Sequence, residues 1–159
     1  QQDPLVFDMD GDGIEPLSLG DGRLFDMNAD ENVEQTAWIA SDDAFLAYDR
    51  SGNGKIDDGG ELFGDQHGAR DGIQELSKFD DNRDGIIDNK DSIYASLQLM
   101  FGDGRMEYLK DRDIARINLN NILYAPRELT GGRQVAKFGY EYEDGRKGEA
   151  AEILLDSNV

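Results

Sequence analysis

Asp80-Asp81-Asn82-Arg83-Asp84-Gly85-Ile86-Ile87-Asp88-Asn89-Lys90-Asp91 is the stretch on which the fold expectation rests. Oxygen-bearing side chains stand at positions 1, 3, 5, 9 and 12 of this twelve-residue run, with Gly85 at position 6. A glycine there permits the sharp turn that wraps a loop around one point. A hard divalent cation such as calcium takes six to eight oxygens, and this spacing presents them to a common centre. Ile86 offers its backbone carbonyl, and Ile87 is placed to pack inward. Asp91 stands where the longer Glu usually closes such a loop.

Working outward, three more acidic runs carry related spacing. Asp49, Ser51 and Asn53 precede Gly54, with Glu61 as a closing acid one residue late and Gly59-Gly60 to absorb the extra residue. Asp26, Asn28, Asp30 and Glu34 occupy positions 1, 3, 5 and 9 of a loop without the position-6 glycine. Asp8, Asp10 and Asp12 are the densest set, since three carboxylates in five residues oppose one another's ionisation unless a cation joins them. At position 7 of these loops, Ile14, Asn32 and Lys55 would offer backbone carbonyls as Ile86 does. The expected cofactor is therefore calcium, held in EF-hand-like loops.

Charge supports that reading. The 159 residues carry a net charge of −19. Residues 1–91 hold 24 acids against 7 bases, whereas residues 92–159 hold 11 against 9. The acidity belongs to one region, which would repel itself when compact without counter-ions. Nucleic acid is excluded as a partner, because its phosphates would be repelled. No apolar run is long enough for a membrane-spanning helix, so membrane insertion is not expected. The absence of cysteine rules out disulfides and thiolate metal sites. The solitary His67 reads as structural.

Local patterns fill in the rest. Leu5-Val6-Phe7 and Gly22–Phe25 read as strands running into acidic loops, and residues 33–39 read as extended. Ser41-Asp42-Asp43 reads as a helix start, with helix through Ala44–Tyr48. Ile73, Leu76 and Phe79 share a helical face, and a second helix is expected from Asp91-Ser92 to Met100. A further helical turn is expected over Glu107–Arg112. Ile114, Ile117 and Leu119 suggest a strand. Ala136, Phe138, Tyr140 and Tyr142 alternate onto one strand face, and Asp144-Gly145 is a hairpin turn leading into a return strand from Lys147 to Leu155. The fold class expected is α+β: a single domain over residues 1–159, with an acidic calcium-loop region (1–91) and a helix plus C-terminal β-hairpin region (92–159). It is expected to be a monomer.

Asp3-Pro4 stands immediately before the first acidic loop. The proline nitrogen belongs to a tertiary amide, and the Asp3 carboxylate can reach its own carbonyl carbon through a five-membered ring. Such an intramolecular attack has a high effective molarity when the geometry is held, and carboxylates do serve as covalent nucleophiles.

The stretch from Asp3 to Glu15 resembles the start of the self-processing module of FrpC-type RTX proteins. The resemblance continues through Leu24-Phe25-Asp26, Thr36-Ala37-Trp38, Asp43, Tyr48-Asp49, and Ile56-Asp57 to Glu61-Leu62-Phe63-Gly64-Asp65. It then takes in the Asp80 loop and the segment from Glu107 to Leu119. The resemblance implies a calcium-triggered autocatalytic module of a secreted or cell-surface bacterial protein. Asp3 would be the nucleophile and Pro4 the leaving group. The substrate would be the chain's own upstream polypeptide, and a lysine-bearing acceptor protein could capture the cut end as an isopeptide. Only Gln1 and Gln2 precede the bond, so the natural upstream segment is expected to lie outside this sequence. Phe101-Gly102-Asp103-Gly104-Arg105 is shorter than the family's corresponding acidic loop, and no metal is expected there. Two other readings remain: a calcium-stiffened structural or adhesive module without catalysis, and a calcium sensor exposing a groove to a partner helix.

Overall fold

The computed structural model describes residues 4–9, 11, 14, 22–25, 34–50, 52, 56, 61–63, 72–124, 126–129, 131–155 and 157–158. Its strands are β1 (Leu5–Asp8), β2 (Arg23–Phe25), β3 (Glu34–Thr36), β4 (Asp43–Tyr48), β5 (Ile86–Ile87), β6 (Leu97–Phe101), β7 (Met106–Tyr108), β8 (Ile114–Leu123), β9 (Arg127–Leu129), β10 (Gly132–Tyr142), β11 (Lys147–Leu155) and β12 (Ser157–Asn158). The α-helix among the described residues is α1 (Gly72–Ser77), of 6 residues. Nine strands form one sheet in the order β5-β8-β10-β11-β1-β4-β6-β7, with β9 pairing against β10. A smaller sheet runs β12-β3-β2. Every strand pairing in both sheets is antiparallel.

This architecture corrects the α+β expectation with EF-hand-like loops: the chain is predominantly antiparallel β, in a curled half-barrel sheet. The segment 44–48 is strand β4, not helix, and 97–101 is strand β6, preceded by a single 3-10 turn over Tyr94–Ser96. The helical turn expected over Glu107–Arg112 is the end of β7 followed by a 3-10 turn over Leu109–Arg112. The physical reason is burial on both faces. Ala44, Leu46, Leu97, Leu99 and Phe101 belong to one core cluster. Phe45, Ala47 and Met100 belong to a second. A strand buried on both faces reads as a continuous apolar run, which short-range periodicity does not separate from a buried helix.

The same two clusters explain β1. Leu5 and Phe7 enter one core and Val6 the other, all three at 0% exposure. The strand sits between β11 and β4, near the middle of the sheet. The β10–β11 hairpin turns at Gly145, whose φ of 92° lies in the left-handed region that glycine adopts without strain. Trp38 closes the second core. Its ring packs 5.0 Å from that of Phe45, and its Nε1–H donates to the Gly102 carbonyl at 2.9 Å.

Candidate functional site

Pro4 begins the ordered sheet. It is buried, and its carbonyl accepts a hydrogen bond from the Ile153 N–H at 3.1 Å. Leu5 then pairs with Glu152, Val6 with Ala151 and Phe7 with Ala150. Proline has no N–H to give a ladder, so it fits the first position of a strand and ends the pairing there. The carbon that Asp3 joins to Pro4 is therefore attached to a fixed point at the end of a central strand. Asp3 itself lies outside the described residues.

At the other end of β1, Asp8 is 7% exposed and pairs directly with Asp43 of β4, which is 1% exposed. Asp8 Oδ1 accepts the Gly11 N–H at 3.0 Å, turning the chain into the first acidic loop. The Tyr140 hydroxyl donates to the Asp8 carbonyl at 2.7 Å, and its ring stacks on Phe7 at 4.7 Å. Burial pushes the Tyr140 phenol well above its usual range, so it stays a donor. Two buried carboxylates directly opposite one another are unfavourable in an antiparallel pair, and a cation beside them offsets that repulsion. Asp43 was expected at a helix start and is instead the first residue of a strand facing Asp8. Ile14 is 8% exposed and packs in the second core. Asp10 and Asp12 lie outside the described residues.

The Asp80 loop is held by its own backbone. Asp80 Oδ2 accepts the Gly85 N–H at 2.8 Å, whereas Asp80 Oδ1 is buried with no hydrogen-bond partner among the described residues. Gly85 has φ 78°, and a Cβ there would run into the Asn120 side chain. Asp91 is 3% exposed and binds the N–H groups of Asp81 at 2.8 Å and Asp88 at 3.0 Å. It thus ties the two ends of the loop together through backbone. Asp84 Oδ1 accepts the Ile86 N–H at 2.9 Å. Ile86 pairs with Asn118 and Ile87 with Ile117, so the loop's far arm is a strand on β8 rather than the start of a helix. Asn82 is exposed. The exposed Asp81 accepts the Ser92 N–H, which lowers its pKa below the ordinary carboxylate value.

The Asp49 loop shows its two ends. Asp49 Oδ1 accepts the Gly52 N–H at 3.1 Å. A bridge pairs Ala47 with Leu62, which brings the outgoing chain at Asp49 back beside the incoming chain at Glu61. Glu61 is 5% exposed. Ser51, Asn53 and Lys55 lie outside the described residues, as do Asp26, Asn28, Asp30 and Asn32. Glu34 lies in β3.

Among the described residues, no three acidic side chains converge on one point. The arrangement nonetheless fits a hard cation. A buried, unpartnered carboxylate oxygen at Asp80 is costly unless something positive or proton-bearing meets it. Sequence reading also missed two buried acids, Glu75 (2% exposed) and Glu152 (1% exposed). Glu75 Oε1 lies 3.6 Å from both Arg50 and Lys78. Glu152 left one clue, being a lone acid in the run Ala150-Ala151-Glu152-Ile153-Leu154-Leu155.

The model of the SPM domain family matches residues 5–156, starting at the first residue of β1. The chain belongs to the SPM domain family. Across 96% of its length this SPM chain is 32% identical to the iron-regulated protein FrpA of Neisseria meningitidis serogroup C, and spans 15% of that protein. The SPM match takes in the nine-stranded sheet and the Asp80 loop together. No helix among the described residues is long and apolar enough to cross a membrane.

Proposed function

We propose that this chain is a calcium-triggered self-cleaving module that cuts the peptide bond between Asp3 and Pro4. The observation that carries the reading is the anchoring of Pro4: its carbonyl is bonded to Ile153 and the next three residues are buried in mid-sheet. The leaving group is thereby fixed, and the Asp3 carboxylate needs only to close on its own carbonyl carbon. Closure forms a five-membered anhydride and expels the Pro4 nitrogen as an amine. Water then opens the anhydride to leave Asp3 as a new carboxyl terminus, or a lysine amine of an acceptor protein attacks it to give an isopeptide. Holding the reacting groups together in this way supplies the effective molarity that an ordinary peptide bond lacks.

Bound calcium would supply charge neutralisation to the acidic loops, with Asp80, Asp84, the Ile86 carbonyl, Asp49, Glu61 and Asp8 as holders. The coupling runs through the sheet. Asp8 ends β1, which is only 4 residues long and follows directly on Pro4. Ordering the loop after Asp8 therefore orders the strand that continues from the scissile bond. Metal binding that folds a site becomes folding free energy. Sites of extracellular grade would keep the module inert inside a bacterium and active once it is secreted.

The test is a precursor carrying about 20 or more upstream residues, long enough to be flexible, followed by intact mass in calcium and in chelator. Scission between Asp3 and Pro4 in calcium, abolished by Asp3→Ala without loss of fold, supports the reading. An intact chain in calcium contradicts it, as does scission that persists in Asp3→Ala.

A further inference from the structure

Expelling the Pro4 nitrogen requires a proton, because an amide nitrogen leaves as an amine and not as an anion. We infer that the Glu152 carboxyl is the donor of that proton, an assignment that rests on the scission reading above. The position is set by the strand register. Ile153 N–H bonds the Pro4 carbonyl while Leu5 and Glu152 stand directly opposite each other. That combination makes Leu5–Glu152 the closely spaced kind of antiparallel pair, whose side chains lie nearest one another. The Pro4 nitrogen lies a little more than one strand rise (about 3.3 Å) back from Leu5 and across the inter-strand gap of about 4.5 Å, about 6–7 Å from the Glu152 Cα, which brings an extended glutamate carboxyl within hydrogen-bond reach.

The surroundings suit the role. Glu152 is 1% exposed and shares its sheet face with Leu5 and Ala150 of the larger core. A donor sealed from bulk water delivers its proton to the reacting atom and does not lose it to solvent. Its Oε1 lies 3.5 Å from the Ile73 N–H at the start of α1, which places the carboxyl toward the helix on that face of the sheet. Among the described residues the other buried acids are placed elsewhere. Asp8 and Asp43 sit at the opposite end of β1, Glu61 beside β4, Glu75 against Arg50 and Lys78, and Asp91 in the Asp80 loop on the Asp81 and Asp88 N–H groups.

The step balances. An Asp3 carboxylate oxygen forms a bond to the Asp3 carbonyl carbon, and the bond from that carbon to the Pro4 nitrogen breaks. The electron pair goes to nitrogen, which takes the Glu152 proton. The products are the Asp3 anhydride, a free Pro4 amine and the Glu152 carboxylate. Water opening the anhydride gives two carboxylates and releases two protons, one of which restores Glu152 while the other is taken up by the Pro4 amine.

The experiment uses the precursor with its upstream segment, in calcium. Glu152→Gln keeps a carbonyl oxygen to accept the Ile73 N–H but has no proton to give. Scission should slow about 100-fold or more, the usual worth of a placed general acid, while the calcium-dependent fluorescence of Trp38 stays as in the parent. Glu152→Asp should recover part of the rate. Glu152→Gln cutting at the parental rate overturns the donor and leaves the scission reading standing. A parental precursor that stays whole overturns both. A second measurement is independent of that variant's folding: the side-chain carbon resonance of Glu152 in the uncut Asp3→Ala precursor. A neutral carboxyl at the pH of scission supports the donor, and an ionised one overturns it.

Discussion

The Tyr140 hydroxyl donates to the Asp8 carbonyl at 2.7 Å, joining residues 132 apart in sequence. One end of that bond belongs to the C-terminal hairpin and the other to the first acidic loop. It fixes the far end of β1, the strand that follows Pro4. Tyr140→Phe keeps the stacking on Phe7 and removes only the hydroxyl. It should cost about 1 kcal/mol of stability in calcium by chemical denaturation, the net worth of one buried hydrogen bond, and should raise the calcium concentration needed to fold.

The same phenol sets an alkaline limit. Burial raises the Tyr140 pKa above its ordinary value of 10.0. The folded state then holds this proton more tightly than the unfolded state does. The stability tied to Tyr140 is complete below pH 10 and falls as pH climbs beyond it, because only the unfolded chain ionises there. Thermal midpoints of the parent should drop more steeply above pH 10 than those of Tyr140→Phe. Tyr94, also raised by burial, adds to the slope in both proteins and cancels in the comparison.

Asp80 gives a prediction with opposite signs in two buffers. Its Oδ1 is buried without a partner, while Oδ2 holds the Gly85 N–H. Asp80→Asn keeps one oxygen acceptor and removes the charge. In calcium the variant should melt lower than the parent and bind at least about tenfold more weakly, since a charged ligand is lost. In chelator it should melt at or above the parental temperature, because the isolated charge is gone. Differential scanning calorimetry in both buffers reads this out.

Gly85 is where the loop's turn depends on one residue. Its φ of 78° suits glycine, and a methyl group would meet Asn120, whose Nδ2 donates to the Asp84 carbonyl at 3.0 Å. Gly85→Ala should lose about 1–2 kcal/mol from backbone strain alone, and more from displacing Asn120. Gly85→Ala combined with Asn120→Ala should recover the steric part and leave the backbone part, as denaturation midpoints would show.

Much of the sheet is legible in the sequence. Asp144-Gly145 marks the β10–β11 hairpin, and the alternation from Ala136 to Tyr142 marks its inner face, because one face of that strand is less deeply buried than the other. Leu5–Phe7, Arg23–Phe25 and α1 are also legible. The exceptions are Ala44–Tyr48 and Leu97–Phe101. Their side chains enter both cores, so no alternation remains to betray a strand. The spacing of Asp80 to Asp91 correctly indicates a tight loop turning at Gly85, but ligand spacing does not specify the element after the loop. The chain continues there into a strand on β8, not into a helix. The setting of Asp43, read as a helix start, and of Glu152, not singled out at all, is hidden for a related reason. Only the register, Asp8 with Asp43 and Leu5 with Glu152, reveals what each faces.

The Ile153 amide gives the most direct measurement, since its hydrogen bond holds the Pro4 carbonyl. Hydrogen exchange at that single amide can be followed across a calcium titration of the uncut Asp3→Ala precursor, alongside the scission rate of the parent. The account predicts an amide that exchanges freely in chelator and becomes protected at the calcium concentration where scission sets in. Equal protection in chelator and in calcium, or scission that begins while Ile153 still exchanges freely, would contradict it.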